Sequence, residues 1–245
     1  MKKIENFSFF CYNKIRKERS ISMNLKKLTA QISIFLQDGI MNPSKYKSNI
    51  NNIFEGMFNK ETLSINIDGA PDDMPLVRCT SKDNIIAYDF SRKRINFTIN
   101  FVSKNKKITF EEYKNKILEL IVNNLLSVTD ISRIGIAFVY YYDTDDKNHR
   151  FWINKFNFPL TTNSTSQLSY TINNPFEKNE IIFNNIIHLS NATINGKVVP
   201  SVSVDLNNNP TNNKLTEDQI SYILTKCKNY DIDTVNNLLS NHNEQ

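Results

Sequence analysis

Hydrophobic and polar positions alternate through much of this chain, and the alternation marks out strands. In "LTAQISIFLQ" (28–37) Leu28, Ala30, Ile32 and Ile34 share one face, the period-two pattern of a half-buried strand. "TLSINID" (62–68), "PLVRCTS" (75–81), "NIIAYDFS" (84–91) and "RINFTINF" (94–101) follow. The last two are joined by a short polar turn at Arg92 and Lys93, which predicts an antiparallel hairpin. The most regular run is "ISRIGIAFVYYYD" (131–143), where Ile134, Ile136, Phe138, Tyr140 and Tyr142 fall on one side. Further strands are predicted at 150–158, 167–173, 180–194 and 198–206.

Helical spacing interrupts this pattern in a few places. At 42–58 Asn42 is the expected N-cap and Pro43 the first helical residue, where its missing N–H is not needed. Tyr46, Ile50, Ile53, Phe54 and Met57 form its apolar stripe. "TFEEYKNKILELIVNNLL" (109–126) is the clearest helix, capped by Thr109 with Glu111 and Glu112 in its first turn, where the backbone dipole favours negative charge. Near the end, Thr216 and Gln219 have capping-box spacing before Ile220, Ile223, Leu224 and Cys227. A second short helix there carries Ile232, Val235, Leu238 and Leu239. No repeat is evident in the sequence. Strands and amphipathic helices are mixed and hairpins are frequent. The expected class is therefore α+β, a largely antiparallel sheet flanked by three or four amphipathic helices. One sheet and two lobes meeting near 131–150 both fit the pattern. The predicted organisation is a basic arm (1–27), a single domain (28–240) and a short tail (241–245).

Composition changes this picture only in part. With 40% hydrophobic and 11% aromatic residues the chain can bury a substantial core. Five glycines leave little room for glycine-rich phosphate loops, and neither G-x-x-x-x-G-K-[ST] nor G-x-G-x-x-G occurs. The three cysteines, Cys11, Cys79 and Cys227, are widely spaced without C-x-x-C, so reduced thiols are expected. No apolar run approaches the ~18 residues of a membrane span, and a cytoplasmic location is expected. The net charge of +5 is concentrated at the start, where Lys2, Lys3, Lys14, Arg16, Lys17, Arg19, Lys26 and Lys27 face only Glu5 and Glu18. Such an arm either frays in solvent or tracks phosphate.

Within residues 131–143 the second face holds Ile131, Arg133, Gly135, Ala137, Val139 and Tyr141. Its small middle predicts close approach by another element at Gly135, with the preceding helix the obvious one. Arg133 would then sit at the rim of that contact in a structural ion pair, or act as an anion anchor. This stretch resembles the signature of a sporadically distributed, uncharacterised prokaryotic family whose strand reads R-I-G-L-R-Y, and Arg133, Ile134 and Gly135 carry the match. Ala137 and Phe138 stand where that strand has its basic–aromatic pair. The looser order of elements over 28–240 is also similar. The resemblance implies bacterial mobile genes, and through them a phage-defence-type multi-gene system.

Candidate chemistry is sparse. His149 and His242 lie in polar stretches and His188 in an apolar strand, with no nucleophile signature beside them. A calcium loop starting at Asp143 fails because Asn148 and Asn154 occupy its glycine and glutamate positions. Asp72 with Asp145, Asp146 and Lys147 resembles a split carboxylate–lysine nuclease pattern, but both halves read as turns. The expectation leans away from an enzyme, and no metal or cofactor is expected. For binding, Arg92, Lys93 and Arg94 at the hairpin tip, with Lys14, Arg16, Lys17 and Arg19 of the arm, form a candidate phosphate-contacting patch. Tyr88, Phe90 and Phe97 are either core residues or stacking partners for it. Trp152 marks a protein interface if exposed and a central strand if buried. The leading expectation is a non-enzymatic interaction subunit that binds a partner protein. The alternative is a nucleic-acid-binding accessory that uses the arm and the 92–94 tip.

Overall fold

A computed structural model describes residues 25–40, 42–64, 69, 71–102, 108–144, 151–152, 169–210, 214–226, 233 and 235. It is an α+β fold built on one ten-stranded antiparallel sheet. The first strand, β1 (Leu25–Leu36), leads into a 3-10 turn (Pro43–Tyr46) and α1 (Lys47–Ile53). A meander follows: β2 (Lys60–Ser64), β3 (Val77–Thr80), β4 (Ile86–Phe90) and β5 (Arg94–Asn100). Helix α2 (Phe110–Leu120) continues as a π-helical turn (Ile121–Leu125) into β6 (Ile131–Tyr142). The rest comprises β7 (Tyr170–Asn173), β8 (Phe176–Lys178), β9 (Ile181–Ile194), β10 (Lys197–Asn208) and α3 (Glu217–Lys226).

The order across the sheet is β2-β3-β4-β5-β1-β6-β10-β9-β7, with β8 also paired to β9. It shows a duplication that the sequence hides. In each half a long first strand pairs with the last strand of its own meander, β1 with β5 and β6 with β10. The two first strands pair with each other at the centre. Ala30 faces Phe138 and Ile32 faces Ile136, so the halves exchange partners about the Gln31–Ala137 pair. The two halves therefore form one continuous sheet.

All described helices pack on the same side of that sheet. Phe54, at the end of α1, stacks on Phe97 of β5, and Phe110 of α2 meets Phe138 of β6 edge-on. Tyr222 of α3 packs on Phe183 of β9. The single O–H of Tyr113 in α2 is shared between the backbone carbonyls of Ala87 (3.0 Å) and Thr98 (3.1 Å), fastening the helix across β4 and β5. Thr109 and Glu112 form a reciprocal capping box at the start of α2, and Thr216 and Gln219 do the same before α3, as their spacing predicts.

Several expectations are corrected. Asn42 makes no side-chain cap, and α1 ends at Ile53, because Glu55 and Gly56 take positive φ (52° and 71°) and turn the chain out of the helix. Phe151 and Trp152 are helical, not extended. Both are buried, which two adjacent residues of a strand covered on one side cannot be. The basic arm is shorter than its composition suggests, since β1 begins at Leu25 and takes in Lys26 and Lys27. Lys26 pairs with Asp143 at 2.7 Å, and Lys27 lies over the rings of Phe101 and Phe138.

Candidate functional site: the uncovered face of the sheet

Every strand that buries one side against the helices presents its alternate residues on the other. Register lines these up in rows across the sheet. One row runs Arg78, Asp89, Asn96, Ser33, Gly135, Asn207, Asn184. The next runs Thr80, Ala87, Thr98, Gln31, Ala137, Asp205, Ile186, Asn173. A third holds Asn100, Thr29, Val139, Ser203, His188 and Thr171. The second row continues from Thr80 to Lys60 on the edge strand β2; from β3 inward the three rows hold neither lysine nor glutamate. Short hydroxyl and amide side chains dominate, and they bond to one another. Gln31 donates to Ser33 (2.9 Å) and Ser33 to Asn96 (2.8 Å). Asn173 donates to Asn184, and Asn184 to Asn207 and Asn209.

At one end of this face Phe35 is flanked directly by Arg94 on β5 and Arg133 on β6. The guanidinium carbons lie 6.0 and 5.1 Å from the ring centroid, within reach of cation–π attraction. Both arginines are half-buried, and the Nε of each is buried with no hydrogen-bond partner. Among the described residues no carboxylate forms an ion pair with either. Two other charges near the sheet are matched. Arg78 bonds Asp89, which raises the guanidinium pKa, and the Lys26 ammonium holds Asp143 below the usual carboxylate range.

Gly135 lies on this face and not beneath a helix. A Cβ there would meet Asn207 Cβ at 3.6 Å and Asp205 Oδ1 at 3.9 Å, both ordinary contacts. The expected close approach by the preceding helix is therefore wrong, because α2 packs against the opposite, aromatic side of β6. The expected ion pair of Arg133 is wrong as well. Gly135 and its neighbour Asn207 are buried, whereas Ser33 and Asn96 in the same row are half-buried, and the Arg94–Phe35–Arg133 row lies two residues further along the strands.

The remaining candidates separate clearly. The 92–94 tip does not act as one basic patch. Lys93 pairs with Asp72 at 3.1 Å, while Arg94 turns to the uncovered face beside Phe35. That ion pair also accounts for Asp72, an exposed turn residue; Asp145, Asp146 and Lys147 lie outside the described residues. So do Lys14, Arg16, Lys17 and Arg19. Tyr88, Phe90 and Phe97 are fully buried core, which removes them as stacking partners. Trp152 is buried too, and its indole N–H donates to the Ser190 carbonyl at 2.9 Å, so it is not an interface residue. His188 Nδ1 lies 2.8 Å from Thr171 Oγ1. Phe35, Asn207 and Asp205 escaped the sequence reading, since only the register shows that Phe35 lies between two arginines. A cleft of about 450 Å³ between β3, β4 and the chain after α1 is lined by Met57, Ser81, Asp83 and Ile108. Asn59 and Lys82 also line it, and Ser81 is spent internally, donating to Asp83 and accepting from the Ile85 and Ile86 amides.

No family model matches the sequence, and no curated protein does. Among solved structures the chain is similar to Methanococcus jannaschii TBP, at 13% identity and a TM-score of 0.23, over 87% of this chain and 99% of that one. A likeness this slight has no bearing on function. No helix among the described residues is long and apolar enough to cross a membrane.

Proposed function

We propose that the chain is a non-catalytic binding subunit that engages a partner protein through the uncovered face of its sheet. One observation carries this reading: two half-buried arginines flank Phe35 with no counter-ion among the described residues, at the end of a broad face of short polar side chains. A sheet face meant only for solvent usually carries long charged side chains. Side chains as short as Ser33, Thr98 and Ser203 let another surface come close to the strands. A nucleic-acid backbone would require a run of unpaired cations, whereas Lys26, Arg78 and Lys93 are each neutralised by a carboxylate. The family resemblance of the 131–143 strand supports a partner encoded in the same defence-type gene cluster and met in the cytoplasm.

The test is affinity purification of the tagged protein from its native cells, with and without nuclease, beside a Thr98→Arg/Ser203→Arg variant that obstructs the face. One protein should co-purify in stoichiometric amount, survive nuclease and be lost from the variant. Loss of all co-purifying material on nuclease treatment would sink the proposal. So would a partner that the variant retains.

A further inference from the structure

The geometry points to the occupant of the arginine end of this face: we infer that Arg94 and Arg133 receive the carboxylates of an acidic, extended peptide segment of the partner. This rests on the face being the binding surface and deepens that reading.

A guanidinium is always charged at physiological pH and presents five donors. Removing part of it from water without an acceptor is unfavourable, and buried polar groups without partners call for a specific explanation. Here two such groups stand on strands either side of β1, in register with one aromatic ring. The guanidinium carbons lie 6.0 and 5.1 Å from the Phe35 centroid; the buried Nε atoms are out of a ligand's reach, and it is the terminal N–H groups that would meet an anion. Asp205, on the same face, pairs with neither. Strands lie about 4.8 Å apart, so β5 and β6 set the two arginine backbones roughly 10 Å apart. That is too wide for one carboxylate to bridge at the strand level, but suits two acids on one side of an extended segment, spaced roughly 7 Å at alternate residues, with long arginine side chains closing the difference. Gly135 and Asn207 are buried, so the polar groups left to such a segment beside the arginines are those of the half-buried Ser33 and Asn96. Arginine favours carboxylates through paired N–H donors. Two isolated cations do not make the continuous track that a polynucleotide needs.

The probe is a fluorescent glutamate-rich peptide, titrated into the full chain by anisotropy beside an oligothymidylate of equal charge. Wild type should bind the peptide more tightly than the oligonucleotide. Arg94→Gln and Arg133→Gln should each weaken it about tenfold or more, the loss of one charge-assisted contact. Lys93→Gln removes the same charge nearby and should change affinity less than about twofold. Equal losses in all three variants would mean general electrostatic attraction and overturn the inference, as would preference for the oligonucleotide. Circular dichroism melts of each variant exclude misfolding, and Arg→Lys at either position separates bidentate contact from charge by restoring only part of the affinity. The native partner distinguishes the two levels of the proposal. If it is lost by Thr98→Arg/Ser203→Arg but retained by the double arginine variant, the acidic segment is wrong and the binding face stands. If both retain it, the face itself is wrong.

Discussion

Substituting Gly135 tests the architecture of the uncovered face directly. A glycine inside a strand usually signals a close neighbour or a bulge, and on that rule alanine should be harmful. The structure predicts the opposite. The nearest atoms to an added Cβ are side-chain atoms at 3.6 and 3.9 Å, and Gly135 is not among the residues of positive φ. Gly135→Ala should therefore stabilise the protein by ~0.4–1 kcal/mol, by narrowing the conformations of the unfolded chain. Gly39 is the contrasting case. It has a φ of +73°, and a Cβ would lie 3.1 Å from the Arg92 carbonyl oxygen and 3.2 Å from the Lys93 side chain. Gly39→Ala should cost ~1–2 kcal/mol from the left-handed backbone alone. With a urea m-value near ~3 kcal/mol/M for a chain of this size, the Gly135→Ala midpoint should rise by ~0.1–0.3 M and that of Gly39→Ala fall by ~0.3–0.7 M. Equilibrium urea unfolding followed by Trp152 fluorescence measures both. A lowered midpoint for Gly135→Ala would mean that the buried glycine has less room beside Asn207 and Asp205 than those distances allow.

Two further outcomes follow from the core. Tyr113→Phe removes the hydroxyl that serves two backbone carbonyls of β4 and β5 and should cost ~1–3 kcal/mol, because buried acceptors lose their donor; urea unfolding reads the loss, and a change below ~0.5 kcal/mol would show that the clasp contributes little. Burial pushes the Tyr142 phenol up to about 12, against ~10 in the unfolded chain. The unfolded state thus loses its proton first, so this contribution is intact below pH ~10 and falls by up to ~2.7 kcal/mol as pH rises toward 12. Tyr113, fully buried, is shifted in the same direction. Near-ultraviolet phenolate absorbance should therefore rise together with unfolding in that window, and smooth titration of a protein that stays folded would refute it.

The strands were legible because each buries one side only. Alternation in 86–90, 94–100 and 131–142 is the direct imprint of a helix-covered face and an uncovered one. The two capping boxes were legible because their hydrogen bonds are local. What stayed hidden is set by pairing across distance. Nothing in the local sequence says that Phe35 falls between Arg94 and Arg133, because that depends on the register of three strands. The direction in which Gly135 faces depends on which side of β6 receives α2. "RFWINKF" reads as a strand by composition, yet Phe151 and Trp152 are both buried, which needs a helix wedged against Tyr142. The duplication is one of connectivity, carried by strand order and not by shared residues, so no search for sequence repeats would find it.

That duplication gives the uncovered face a direction. Phe35 lies four residues beyond Gln31, and Tyr141 lies four beyond Ala137, so the pair about which the halves exchange relates one aromatic to the other. Their surroundings differ. Phe35 is flanked by two unpaired arginines. Tyr141 is flanked by Lys26 and Ser201, and Lys26 is already neutralised by Asp143. The two ends share a frame but present opposite offers to an anion, one vacant and one filled from within the chain. If the proposed acidic segment binds at the arginine end, its partner is held to one of the two orientations that the duplicated frame would otherwise allow. Specificity of this kind rests on a difference between two sites, not on the strength of one. It also explains why one arginine comes from each half: β5 and β6 belong to different repeats, and only at the junction does β1 bring them to the same ring.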